Sequence, residues 1–84
     1  MNSIKDMVLV EWHDARFYPG TYNEEDIGRH KMCLFNSLGY LISKDEVTTV
    51  LAAEFNNEKD YRDITLIPTG SIISIKKLTI VTLV

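Results

Sequence analysis

The chain has one cysteine, Cys33, and two histidines, His13 and His30, in 84 residues. A lone cysteine excludes an internal disulfide framework, and one thiol with two imidazoles is too few for a structural zinc site within one chain. A reducing compartment is the expected setting. Four glycines and two prolines are too few for a low-complexity chain. Long apolar runs are missing as well, since the terminal LTIVTLV (78–84) falls far short of the ~20 residues that span a bilayer. The first residues, MNSIKDMVLVEW, hold an acidic Asp6 and an apolar run of only four, which does not match a secretory signal. These absences lead us to expect a soluble cytoplasmic protein with no membrane partner. Positive charge is also scarce. A net charge of −3 argues against a broad grip on nucleic acid, which needs clustered Lys and Arg.

What is present reads as one small globular domain over 1–84, 45% hydrophobic and 25% charged, with room for one modest core. Residues 7–14, MVLVEWHD, predict a strand with Val8, Val10 and Trp12 on one side. A long connection follows from 15 to 31, where Asn23 before Glu24, Glu25 and Asp26 is suited to cap one helical turn that Gly28 ends. Residues 32–43 place Leu34, Leu38, Tyr40 and Ile42 on one face, with Gly39 marking a bulge or sharp bend. Residues 47–55 place Val47, Thr49, Leu51, Ala53 and Phe55 together, and β-branching favours strand there. NNEKD is a hairpin loop and YRDITLI (61–67) another strand. Pro68 and Gly70 then predict a tight corner, with positive φ at Gly70, before SIISIKKL begins the next strand. The expected fold is all-β, a small barrel of five to six strands with a long loop after the first. The tail TIVTLV is either the sixth strand or an arm that adds to a neighbouring chain.

This pattern resembles the small-barrel superfold of Sm-like and Src-homology-type domains. The long first connection resembles the extended first loop of the Src-homology class, and IPTGSIISI resembles the second Sm motif, the likeness covering roughly residues 33 to 78. The chain lacks the N-terminal helix and the acidic-then-Asn uridine-binding signature of the Sm family. VEWHDA, LGYLISKDEV and ITLIPTGSIISIKKL also resemble very short bacteriophage and prophage proteins without assigned function. That likeness implies an accessory or anti-defence role, with a host signalling nucleotide as the sequestered ligand.

The candidate ligand-binding residues are Trp12, His13, Asp14, Arg16, Tyr18, Tyr22 and Arg29. A Trp face, an imidazole and a carboxylate can stack on and hydrogen-bond a ring ligand; equally, Trp12 caps a core and Asp14 serves a turn. Phe17, Tyr18 and Tyr22 near Arg16 and Arg29 combine rigid aromatic surface with guanidinium donors, as binding surfaces do, or else pack the loop upon itself. Arg16, Arg29, His30 and Lys31 make a local basic patch. The acidic NEEDI has no calcium-loop spacing, so no metal site is expected. His13 with Asp14 has no nucleophile motif beside it, so no catalytic residue and no cofactor are assigned, and the chain is read as a non-enzyme. The expected function is a homo-oligomeric binding module holding a small anionic or nucleotide-like ligand. The alternatives are an Sm-like nucleic-acid binder and an adaptor that docks a protein partner.

Overall fold

The computed structural model describes residues 5–82. Five strands form one antiparallel sheet in the order β4-β3-β2-β1-β5, where β1 is Met7–Asp14, β2 Cys33–Lys44, β3 Thr48–Phe55, β4 Tyr61–Pro68 and β5 Ile72–Lys77. The all-β class expected from the sequence is thus present. The barrel is not. β4 and β5 lie at opposite edges of the sheet, and no ladder joins them. Closure needs hydrogen bonds between these two edges, and strand periodicity carries no information about them. No sixth strand forms over residues 78–82; the reading of 83–84 lies outside the described residues.

β2 holds the sheet together by changing partners. Its first part pairs with β1, from Asp14↔Cys33 to Met7↔Tyr40, and its second part pairs with β3, from Tyr40↔Ala52 to Lys44↔Thr49. The exchange happens beside Gly39, which itself pairs in regular register with Val8; the bulge expected at that glycine falls instead between Leu41 and Ser43. A Cβ at Gly39 would lie 3.0 Å from the Ala52 carbonyl oxygen and 3.2 Å from the Leu51 Cβ. A side chain here would force the β3 backbone to give way.

The core lies on one face of the curved sheet. Val8, Val10, Leu51 and Ile67 are buried, with Trp12, Leu41, Ile72 and Ile75 packed against them. Direct strand partners share a face, so the register Val8↔Gly39, Val10↔Ser37, Leu41↔Leu51 and Thr49↔Ile67 puts Ser37, Gly39 and Leu41 on the core side of β2. Leu34, Leu38 and Tyr40, the apolar face expected of that strand, are on the other side. The close approach at Gly39 favours this, because a side chain there would press on β3. Thr49 is also fully buried, and its hydroxyl is satisfied by Thr69 Oγ1 at 2.9 Å.

The corner after β4 corrects a second expectation. Thr69–Ser71 is a single 3₁₀ turn, the Thr69 N–H bonds the Val47 carbonyl at 3.0 Å, and Gly70 has no positive φ. A Cβ there would meet nothing within 4 Å. Gly70→Val is therefore expected to leave the urea midpoint close to that of the parent; a large drop would show that the corner needs glycine after all.

The β2–β3 turn is held by Asp45, whose Oδ1 accepts from the N–H groups of Val47 at 2.8 Å and Thr48 at 2.7 Å. These bonds, Thr48 first and then Val47, keep the Asp45 carboxyl below its ordinary value. A depressed folded value means that the stabilisation is complete above the unfolded value and fades as pH falls through the folded one. Asp45→Asn should therefore reduce stability at neutral pH, and the gap to the parent should narrow under acid. Thermal melts across that range check the sign; a gap that widens on acidification would contradict it.

Candidate functional site

Eighteen residues separate β1 from β2, and their own side chains organise them. Asn23 caps α1, Glu24–Ile27, by accepting from the Asp26 N–H at 2.8 Å, and Gly28 ends it, as the residue types suggested. Tyr18 then ties the two arms of the loop together. Its hydroxyl donates to the Lys31 carbonyl at 2.8 Å and accepts from the Lys31 N–H at 3.2 Å. The Tyr18 ring stacks on His30 with centroids 3.9 Å apart, and Tyr22 meets His30 edge-on at 4.5 Å. The Tyr22 hydroxyl donates to the Pro19 carbonyl.

Arg16 lies on this cluster. Its guanidinium carbon is 5.8 Å from the Tyr18 ring centroid, Nη1 donates to the Tyr18 hydroxyl at 3.4 Å, and Nη2 reaches Cys33 Sγ at 3.6 Å. Arg16 first, and the Lys31 backbone second, hold the Tyr18 phenol below its ordinary value. Arg16 itself is raised, chiefly by the same hydrogen bond. The three arginines differ in one respect. Arg29 is paired with Glu25 and Asp26, and Arg62 with Glu54 at 2.6 Å, whereas Arg16 has no carboxylate partner among the described residues.

The seven sequence-predicted residues fall into separate places. Arg16, Tyr18 and Tyr22 come together around His30. Trp12 faces the core side of β1, stacks on Phe35 at 5.5 Å and donates from Nε1 to Ser37 Oγ at 2.9 Å. His13 points to the opposite face by strand alternation and is exposed. Asp14 Oδ1 accepts from the Ala15 N–H at 2.8 Å. Arg29 is engaged on α1. Trp12 and His13 therefore cannot grip one ligand from the same side.

Two features were not in the candidate set. Phe17 is 86% exposed beside Arg16, and as the loop aromatic without a packing partner it is the ring open to a ligand. Its signal was present in the Arg16-Phe17-Tyr18 run, but nothing local says which aromatic stays outside. The second is an open depression of about 300 Å³ lined by Glu54, Phe55, Asn56, Asp60 and Arg62. It lies at the β3–β4 turn, far along the chain from the loop residues, and its Arg62 is already paired with Glu54, leaving Asp60 as the remaining charge. Among the described residues no group of three or more His, Cys, Asp or Glu is placed to hold a metal ion, and no helix is long and apolar enough to cross a membrane.

No family model, characterised protein or solved structure matches this chain. The functional reading rests on its own geometry.

Proposed function

We propose that the protein is a non-enzymatic binding module that works as a homo-oligomer and holds a small anionic, nucleotide-like ligand at the β1–β2 loop. The observation that carries this reading is Arg16, an exposed guanidinium fixed over Tyr18 with no carboxylate to neutralise it. A guanidinium in a fixed place offers a fork of donors matched to phosphate or carboxylate oxygens. The exposed Phe17 ring beside it adds a face for a base or other ring. Because Tyr18 and His30 are locked by hydrogen bonds and stacking, little of the loop remains to be ordered on binding.

Assembly fits the same picture. Ile80 and Val81 are each 75% exposed on a segment that joins no strand, and apolar chain of this kind is covered in solution by a neighbour. We relate the fold to Sm-like and Src-homology-type small barrels through three features: the return of β5 to β1, the 3₁₀ turn before it and the long first connection. A phage accessory or anti-defence role, sequestering a signalling nucleotide in the cytoplasm, is the setting this reading suits.

Two measurements test the ligand site. Protein purified gently from several hosts and then denatured is expected to release a phosphate- or carboxylate-bearing molecule detectable by mass spectrometry. Arg16→Ala should lower its recovery tenfold or more, on the order of 1.4 kcal/mol or above for a charge-assisted contact. Independently of any ligand, Arg16→Ala should move the Tyr18 phenol back up in an ultraviolet titration. Repeated empty protein, or full recovery in the Arg16 variant, would count against the site.

A further inference from the structure

Four strands of the sheet turn apolar side chains away from the core. On β2 the outward residues include Leu34, 49% exposed, and Leu38, 67% exposed, while Ser37 and Gly39 face inward. On β4, Ile64 is 48% and Leu66 is 64% exposed, on the side opposite the fully buried Ile67. Met7 and Leu9 add to the same face from β1. The register assembles these into adjacent rows. Leu9 pairs with Leu38; Met7, Tyr40, Ala52 and Ile64 form one line across four strands; Val50 pairs with Leu66. Partners in such rows have Cβ atoms about 5 Å apart, so the patch is continuous.

We infer that this outer face, centred on Leu9, Leu38, Tyr40, Val50, Ile64 and Leu66, packs against the same face of a second copy of the chain. The inference rests on the homo-oligomer reading and names its interface. An antiparallel sheet with one wet face alternates apolar and polar residues; here the wet face has apolar rows and no charged residue within them. Lys76 borders the patch beside Leu9, the Glu11–Asn36 row borders it on the side toward Leu34, and the Glu54–Arg62 ion pair borders it beyond Ile64. Because the charged residues of this face lie at the borders of the patch, its centre can meet its own copy with little like-charge repulsion, as a two-fold contact requires. The surface area points the same way. The chain exposes 7039 Å², whereas a folded monomer of this mass exposes about 5,100 Å². The difference, roughly 1,900 Å² over the whole chain, means that one chain alone leaves more surface in water than a folded monomer of its mass. Two such sheets stack about 10 Å apart with interdigitating side chains, which doubles a core now limited to one side.

Sedimentation equilibrium of the parent is expected to give a dimer or a multiple of it. Leu38→Asp and Leu66→Asp should each lower that mass to the monomer while the far-ultraviolet circular dichroism of a β-protein persists, since both side chains are mostly exposed in the single chain. A second measurement needs no variant: in the parent, the methyl signals of Leu38, Ile64 and Leu66 should be shielded from a soluble paramagnetic probe. A parent that is monomeric at every concentration would overturn both this interface and the homo-oligomer reading. Variants that keep the parent's oligomeric mass, or methyl groups open to the probe within the oligomer, would overturn the interface alone. Deletion of residues 79–84 that yields a monomer would then move the contact to the tail.

Discussion

Gly39→Val is expected to leave the chain largely unfolded at room temperature. The added Cβ would press on the Ala52 carbonyl oxygen at 3.0 Å and the Leu51 Cβ at 3.2 Å, and neither is the free end of a flexible side chain. Relief requires β2 to separate from β3 at Tyr40↔Ala52 and Leu41↔Leu51, next to the buried Leu51. Forcing extra carbon into such a site costs about 1–3 kcal/mol for alanine-sized changes, and the two further methyl groups of valine add to that. A domain of this size has only about 3–5 kcal/mol to lose. Gly39→Ala, the milder change, should still fold with a lower urea midpoint. A Gly39→Val protein with the parent's midpoint would mean that β2 does not cross β3 so closely.

Trp12→Ala should cost about 3–5 kcal/mol, the range for truncating a large aromatic packed on a core. The indole stacks on Phe35, contacts the cluster of Val8, Val10, Leu51 and Ile67, and pairs across the β1–β5 ladder with Ile72. Its removal opens a cavity on the core face of β1. Trp12→Phe separates the contributions, because it keeps a ring against Phe35 and loses only the Nε1 bond to Ser37 Oγ. That bond is worth about 1 kcal/mol net. If both variants melt like the parent and only ligand recovery falls, Trp12 acts as a binding surface and not as part of the core.

Much of the strand map was legible because local chemistry fixes it. β1 was read with its ends in place, since Val8, Val10 and Trp12 alternate and the loop begins at once afterwards. The Asn23 cap and Gly28 stop identified the single turn of helix for the same reason. The face of β2 was harder. Counting apolar residues favours Leu34, Leu38 and Tyr40, whereas the core took Ser37, Gly39 and Leu41, because the crossing with β3 leaves little room for a side chain at position 39. Pro68-Thr69-Gly70 reads as a turn with positive φ, but Thr69 bonds to Val47 and to Thr49, and those partners are 20 or more residues away. Closure of the barrel depends on edge hydrogen bonds that leave no periodic trace. At the loop, Arg16, Tyr18 and Tyr22 were named as binding residues from their chemistry. That His30 would slot between the two tyrosines, leaving Phe17 outside, is a matter of packing that spacing does not encode.

β1 has β2 on one side and β5 on the other, and this placement orders events during synthesis. Its first partner, Cys33–Lys44, follows soon after it, but the second, Ile72–Lys77, comes only after the β2–β3–β4 meander has been made. Until then the nascent chain carries Val8, Val10 and Trp12 on a strand with one bare edge, the situation in which strand edges recruit other chains. The β1–β5 ladder is therefore the last of the sheet to close, after every other strand has been made.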